Sequence, residues 1–176
     1  MRQELSENEV ADLSLEIANK IVGMPIWENN YFHIFLPIRE FNEIDTEFLL
    51  HVLSGKDKEI VLSKTDFETR RMVHYLLTDN TKFQKNRFNI PEPVNGLEVP
   101  ADKVDVIFVP LLAFDVFGNR VGYGKGFYDI FLSQCRRDAI KVGLSFFDAV
   151  DSIDDVYQSD VLLDYCVTPN RIYTFE

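Results

Sequence analysis

Apolar residues near the start of the chain follow the spacing of an amphipathic helix. They recur every three or four positions, at Val10, Leu13, Ile17 and Ile21, which places them on one helical face. Ser6 and Glu9 have the spacing of a capping box ahead of this run, and Gly23 follows it as a stop signal. The pattern therefore predicts a first helix that begins after Ser6 and ends at Gly23.

The next segments alternate between strand-like and helix-like patterns. YFHIFL (31–36) is typical of a strand, TEFLLHVLSG (46–55) of a short helix that ends at Gly55, and residues 59–62 of a second strand. A strand, a helix and a strand in succession favour parallel pairing of the two strands. MVHYLL (72–77) is a candidate for a further strand.

The second half of the chain continues the alternation. VDVIFVP (104–110) is a nearly continuous apolar run, typical of a strand buried on both faces. FYDIFLSQC (127–135) has a helical pattern, whereas AIKVGLSF (139–146) and DYCVT (164–168) are strand-like. NRFNIPEPVNG (86–96) contains two prolines and a glycine, which predicts a loop long enough to bind a ligand. We therefore expect an α/β domain with a mostly parallel sheet flanked by helices.

Length, composition and charge narrow the class of protein. The 176 residues, 46% of them hydrophobic, predict a single domain over residues 1–176. No apolar run approaches the about 20 residues of a membrane span, and no secretory signal opens the chain, so we expect a cytoplasmic protein. We also expect a monomer. The net charge of −11 argues against nucleic-acid and membrane partners. Cys135 and Cys166 suggest neither a zinc site nor a disulfide.

The stretch GNRVGYGKGFYD (118–129) combines four glycines with Arg120 and Lys125 and follows a predicted central strand, where open α/β sheets bind ligands. It is not a Walker A loop, because Gly126 follows the lysine where serine or threonine should stand. Its third closely spaced glycine also comes one residue too early for a dinucleotide fold. Clustered glycines beside a helix start, with two cations, favour a phosphate site. The alternative is a glycine-rich turn whose basic residues are merely solvated.

Residues 109–132, VPLLAFDVFGNRVGYGKGFYDIFL, closely resemble the signature of the 5-formyltetrahydrofolate cyclo-ligase family. In that signature a strand ending in proline leads to Phe-Asp, Gly-x-Arg, Gly-x-Gly-x-Gly and aromatic-Tyr-Asp, and each element has a counterpart here. Weaker matches occur in the family's order at residues 43–46, 55–56, 88–93 and 160–168. The resemblance thus extends over most of the chain.

The resemblance implies a fold and an activity. The implied fold is a three-layer α/β/α domain similar to the NagB/RpiA/CoA transferase-like proteins. The implied reaction uses ATP and Mg²⁺ to convert 5-formyltetrahydrofolate into 5,10-methenyltetrahydrofolate, with release of ADP and phosphate. Because the formyl oxygen is a poor leaving group, it is first phosphorylated, and N10 then attacks the resulting imidate phosphate.

Matching residues acquire roles from the same resemblance. The residues expected to contact ATP are Arg120, Gly122, Tyr123, Gly124, Lys125, Gly126, Phe127, Tyr128 and Asp129. Among them Arg120, Lys125 and Tyr128 are the catalytic candidates. Asp129 is the first candidate to bind Mg²⁺ and Asp164 the second, although the former could instead pair with a neighbouring base and the latter could lie on an exposed strand edge.

The folate contacts implied by the resemblance are Glu43, Phe88 and Tyr128. Glu43 would accept hydrogen bonds from the pterin ring, and its alternative is an exposed acid ahead of a helix. The family's basic N-terminal residues have no counterpart upstream of Leu5, which leaves a second interpretation, a catalytically weak folate-binding paralogue. A nucleotide-binding regulatory protein without a folate site is the third. In addition, Ser63 stands where a proline commonly ends the family's second strand.

Overall fold

The computed structural model describes residues 2–86 and 89–175. Within them the helices are α1 (Glu7–Val22), α2 (Glu47–Gly55) and α3 (Phe127–Gln134). The strands are β1 (Tyr31–His33), β2 (Glu59–Asp66), β3 (Arg71–Leu76), β4 (Phe83–Lys85), β5 (Pro91–Pro93), β6 (Val106–Pro110), β7 (Ala113–Phe114), β8 (Arg120–Val121), β9 (Ile140–Leu144), β10 (Tyr165–Val167) and β11 (Ile172–Thr174). Three short 3-10 turns are added, at Arg2–Glu4, Arg39–Phe41 and Ala101–Lys103.

Seven of these strands form one sheet in the order β11-β10-β9-β6-β1-β2-β3. The five inner strands are parallel, and each edge strand pairs antiparallel with its neighbour. In the centre Phe32 of β1 pairs with Ile60 on one side and with Val106 on the other. The predicted mostly parallel sheet is confirmed.

Helices cover both faces of the sheet and give it three layers. On β6, Val106 and Phe108 pack with the residues of α1 and α2, whereas Ile107 and Val109 pack with those of α3. All four side chains are fully buried. Because neither face meets water, β6 needs apolar residues at successive positions, as its sequence predicted.

The caps of α1 lie where the pattern placed them. Ser6 is the N-cap, its side chain and that of Glu9 form the capping box, and Gly23 is the C-cap. Several strand bounds differ from the prediction: β1 ends at His33, and β2 continues to Asp66. Both differences reflect pairing with neighbouring strands, which the local pattern does not encode.

Two predictions for irregular segments were wrong or incomplete. The loop predicted over residues 86–96 contains β5, which pairs antiparallel with β4. Its two prolines are tolerated because a two-stranded ribbon has only edge strands, so a missing N–H can face outward. Strand β11 had no counterpart in the prediction. The acidic segment 148–160 is a largely exposed loop.

Both cysteines are free thiols, Cys166 buried in the core and Cys135 half-buried. Burial raises the pKa of each thiol, for Cys135 to about 11, so both remain protonated at neutral pH. No helix in the ranges 2–86 and 89–175 combines the length and the apolar character needed to cross a membrane.

Candidate active site

Glu43, one of the predicted ligand-binding residues, lies at the carboxyl ends of the inner strands. Phe35 follows β1, Leu111 follows β6 and Ser145 follows β9, and all three line a cavity of about 10 Å³ together with Glu43 and Arg2. Open α/β sheets bind their ligands at this edge. The sheet topology therefore brings together residues that are far apart in the sequence.

Glu43 lies inside this edge rather than on the surface. Its side chain belongs to a residue that is only 5% exposed. Oε2 accepts a hydrogen bond from the backbone N–H of Ile38 at 2.6 Å, and Oε1 accepts one from the Tyr123 hydroxyl at 2.5 Å. Burial raises the pKa of Glu43, and these hydrogen bonds and the charge of Arg2 partly offset that rise. The alternative interpretation of Glu43 as an exposed acid is wrong.

Tyr123 connects Glu43 to the start of the chain. Its hydroxyl accepts a hydrogen bond from Arg2 Nη2 at 2.6 Å, and the Arg2 guanidinium lies 5.7 Å from the centre of the Tyr123 ring. Asn42 holds the turn that carries Arg2 by donating to the carbonyls of Arg2 and Leu5 at 3.1 and 2.9 Å. The sequence does not identify Arg2 as a site residue, because only tertiary packing brings it to Tyr123.

The glycine loop, residues 122–126, is exposed at this edge. Gly124 and Gly126 have φ of +72° and +71°, the left-handed region that favours glycine. A Cβ at either position would meet nothing within 4 Å, so conformation rather than crowding requires glycine there. Helix α3 begins immediately afterwards with no side-chain cap, and Lys125 is exposed. Open space, a helix start without a side-chain cap and a cation are the features of an anion site.

Arg120 and Asp129 form a partly buried pair behind the loop. Arg120, with a side chain 6% exposed, donates Nη2 to Asp129 Oδ1 at 2.5 Å and Nη1 to the carbonyl of Val161. The N–H of Val161 also donates to Asp129 Oδ1, at 3.3 Å. The pair thus joins β8 and α3 to Val161, the residue that follows the acidic segment 148–160. The alternative interpretation of Asp129, pairing with a neighbouring base, describes this arrangement.

Asp164, the second candidate metal ligand, belongs to a different ion pair. Its Oδ2 accepts from the backbone N–H of Lys141 at 2.7 Å and lies 2.9 Å from Lys141 Nζ, at the amino ends of β9 and β10. The two aspartates therefore have different cationic partners. Among residues 2–86 and 89–175, no three His, Cys, Asp or Glu side chains form a group that could hold a metal ion.

The aromatic candidates lie on the inner side of α3. Tyr128 is half-buried, with its ring 6.0 Å from that of His33 in an edge-on contact. Burial and, secondarily, the charge of Glu43 raise the pKa of Tyr128, so its hydroxyl is neutral. Phe127 makes an edge-on contact with Phe67 at 5.5 Å. Phe88 lies outside the described residues.

A buried polar cluster beneath Tyr128 had no counterpart in the prediction. Ser63 Oγ lies 2.7 Å from His33 Nε2 and 2.7 Å from His74 Nδ1. Burial lowers the pKa of both histidines, that of His74 to about 4, so both are neutral at pH 7. Ser63 and His74 are opposite residues of β2 and β3. Their pairing depends on strand register, which the sequence alone does not reveal.

A larger groove opens beside the small cavity. Its volume is about 370 Å³, and it is lined by the segment that follows β1, by the start of α2 and by Lys85, Asn89 and Pro91. The last three residues flank or belong to the segment predicted to bind a ligand. The groove has both cationic and acidic side chains, including Arg39 and Glu47.

Fold and site together define an α/β protein with an exposed glycine loop at the carboxyl edge of its sheet, next to a buried carboxylate. Comparison with known proteins identifies its family, because residues 1–169 match the 5-formyltetrahydrofolate cyclo-ligase family. The chain belongs to this family, and the resemblance found in its sequence is confirmed.

Individual relatives support this family assignment. The chain is 36% identical over 111 residues to the 5-formyltetrahydrofolate cyclo-ligase of Haemophilus influenzae, an alignment that covers 59% of this chain and 58% of the relative. It is 30% identical over 139 residues to that of Mus musculus, covering 74% and 68% respectively. The solved structure of a 5,10-methenyltetrahydrofolate synthetase from Aquifex aeolicus has a TM-score of 0.84 and 29% identity, over 99% of this chain and 87% of the other. The fold is therefore that of the family.

Proposed function

We propose that this protein is an ATP-dependent enzyme that converts 5-formyltetrahydrofolate into 5,10-methenyltetrahydrofolate, ADP and phosphate. The observation that carries the proposal is the contact between Tyr123 and Glu43, at 2.5 Å. It joins the loop with the features of a phosphate site to the carboxylate that the family resemblance assigns to the pterin. A phosphate donor and a formyl acceptor bound to these two groups would be neighbours, as phosphoryl transfer requires.

The proposed reaction has two steps. In the first, the formyl oxygen attacks the γ-phosphorus of ATP and the bond to the leaving ADP breaks, which gives an imidate phosphate. In the second, N10 attacks the formyl carbon and loses its proton, and the carbon–oxygen bond breaks to release phosphate. No nucleophilic side chain is needed, so the protein contributes mainly position and charge.

Several groups of the chain suit the phosphoryl transfer. Backbone N–H groups of the glycine loop and of the first turn of α3 would bind the phosphate oxygens, and the exposed Lys125 would balance their charge. Arg120 already binds Asp129 and Val161. We therefore assign it chiefly to holding α3 in place, with its direct contact to ATP a prediction still to be tested.

Asp129 suits Mg²⁺ better than Asp164 does. Mg²⁺ keeps several waters and takes only one or two carboxylates besides substrate phosphates. Both aspartates pair with a cation, but Asp129 lies in the first turn of α3, next to the proposed phosphate site, whereas Asp164 lies at the amino ends of β9 and β10. When bound, the ion would neutralise phosphate charge.

The folate would lie between Glu43 and the larger groove. Glu43 would accept hydrogen bonds from the N–H groups of the pterin, and Tyr128 and Phe88 would supply aromatic contacts. The cavity of about 10 Å³ at Glu43 is far too small for the whole substrate, whereas the adjoining groove of about 370 Å³ has room for the remainder.

The direct test is the near-ultraviolet absorbance of the methenyl product, followed for purified protein with (6S)-5-formyltetrahydrofolate, Mg²⁺ and ATP. We expect an absorbance rise that depends on ATP. Glu43→Ala should abolish it, whereas Glu16→Gln, at an exposed position of α1 outside both cavities, should leave it unchanged. Folate binding without turnover would instead support the weak folate-binding paralogue, and nucleotide binding without folate binding a regulatory protein.

A further inference from the structure

The hydrogen bond between Tyr123 and Glu43 has a fixed direction. A phenol carries one hydrogen, and Arg2 can only donate, so the Tyr123 hydroxyl accepts from Arg2 and gives its hydrogen to Glu43. Both carboxylate oxygens of Glu43 are then engaged, since Ile38 donates to the other. The phenol thus takes one of the acceptor positions of Glu43 Oε1, on the side of the carboxylate that faces the glycine loop.

The space beside the Glu43 carboxylate is small. The adjoining cavity of about 10 Å³ holds at most one water molecule. A pterin ring cannot reach the Glu43 carboxylate while Tyr123 remains in place. Tyr123 must therefore move before Glu43 can bind a ligand.

Tyr123 is well suited to such a movement. It stands between Gly122 and Gly124, and a Cβ added at either glycine would meet nothing within 4 Å, so the backbone on both sides has room to rotate. Unlike Glu43, Tyr123 is partly exposed, at 38%, and its main aromatic neighbour is Phe41, at 5.9 Å. Its own backbone belongs to the loop proposed to bind phosphate.

We propose that Tyr123 is a gate that couples the two substrate sites. In the free protein the Tyr123 hydroxyl is hydrogen-bonded to the Glu43 carboxylate. When the glycine loop binds a nucleotide, its N–H groups turn towards the phosphate and the Tyr123 side chain moves away. The Glu43 carboxylate can then bind the pterin. The inference rests on the proposed function. By thermodynamic linkage each substrate then strengthens the binding of the other by the same factor, about tenfold.

Calorimetric titration of wild type, Tyr123→Phe and Tyr123→Ala tests the gate. For the wild type, a non-hydrolysable ATP analogue should tighten binding of 5-formyltetrahydrofolate about tenfold. Tyr123→Phe lacks the hydroxyl and Tyr123→Ala also lacks the ring, so both should bind folate more tightly without the analogue and show little further gain with it. Tyr157→Phe, at a residue 71% exposed, is the matched control and should behave as wild type. Undiminished coupling in both Tyr123 variants would overturn the gate.

A titration with the ATP analogue alone separates the gate from the proposed function. Both Tyr123 variants should bind the analogue more tightly than wild type, because no contact with Glu43 has to be broken. If they do so while the wild type binds no 5-formyltetrahydrofolate even with the analogue present, the link between nucleotide binding and release of Glu43 by Tyr123 stands, but Glu43 serves another ligand and the proposed function fails. If the wild type forms the methenyl product but the variants bind the analogue and folate as the wild type does, the function stands and the gate fails.

Discussion

Two short polar contacts flank the glycine loop, and they differ in what holds them. Arg120 and Asp129 lie in β8 and α3, and Val161 binds both side chains through its backbone. Tyr123 and Glu43 lie in loops, and Tyr123 has a glycine on each side. Both contacts measure 2.5 Å. Distance alone therefore does not distinguish a framework contact from an exchangeable one.

The difference lies in what is left behind when each contact breaks. Losing Arg120 leaves a partly buried carboxylate without its cation, which is strongly unfavourable. Losing the Tyr123 hydroxyl removes one neutral donor from Glu43, which keeps its hydrogen bond from Ile38, and leaves a position that a ligand can fill. The first contact is suited to fixing α3 and the second to exchange with substrate.

Breaking the framework contact should have the largest effect. We expect Arg120→Met to lower the free energy of unfolding by about 3 kcal/mol, because Asp129 loses its counter-charge, and to reduce turnover as well. Urea denaturation measures the first effect. Adding Asp129→Asn should restore part of the stability, and Arg137→Met, at an exposed position, should have little effect. Unchanged stability with reduced turnover would make Arg120 a phosphate contact instead.

The cation of the loop should affect catalysis and not stability. Lys125→Met should lower ATP-dependent turnover by about 10²-fold, the scale of removing one group that stabilises phosphate charge. Because Lys125 is exposed, the Lys125→Met variant should unfold at the same temperature as the wild type. Lys103→Met, an exposed lysine at the opposite edge of the sheet, is the control. A normal rate for Lys125→Met would remove this residue from the proposed mechanism.

Two alanine substitutions compare the glycines on either side of Tyr123. Gly124→Ala should destabilise the protein by about 1 kcal/mol, because alanine disfavours the left-handed conformation at φ of +72°. Gly122 lacks such a φ and has open space around it, so Gly122→Ala should stay within about 0.5 kcal/mol. Thermal unfolding of both variants checks this, and equal losses would contradict the assigned conformation.

The pH dependence of stability should reveal the buried carboxylate. Burial raises the pKa of Glu43 above 4.5, so on raising the pH the unfolded chain releases this proton before the folded protein does. The contribution of Glu43 to stability is thus complete below pH 4.5 and declines as the pH rises towards its folded pKa. Glu43→Gln should remove this decline from unfolding free energies measured across that range. An identical pH profile in the variant would show that Glu43 is not buried as described.

The strongest periodic patterns predicted the framework well. The apolar run of β6 and the spacing and caps of α1 were sufficient to predict these two elements. A strand buried on both faces and an amphipathic helix each have a distinct local pattern. The prolines of β5 misled the prediction, since proline excludes a central strand but not a ribbon edge. Short strands such as β11 depend on their neighbours more than on their own three residues.

The site was predictable only where it lies within a continuous motif. The glycine loop could be found from its composition, and Glu43 only from the family resemblance. Arg2 and the cluster around Ser63 could not be found, because their contacts span 121 and 30 residues of sequence. Such contacts depend on chain packing and strand register, for which neither residue carries a local signal.

The pairing of β1 with β6 also has a kinetic consequence. Asp105, just before β6, binds the backbone N–H groups of Asn30 and Tyr31, residues 75 and 74 positions away. Contacts between such distant segments form slowly, whereas α1, α2 and the β2–β3 hairpin can form from local contacts. In the sequence Glu43 lies between β1 and β6, and the glycine loop follows β6. The two parts of the site therefore come together only when these strands pair. Ligand binding should therefore appear only with the last step of refolding, which makes it a sensitive reporter of complete folding.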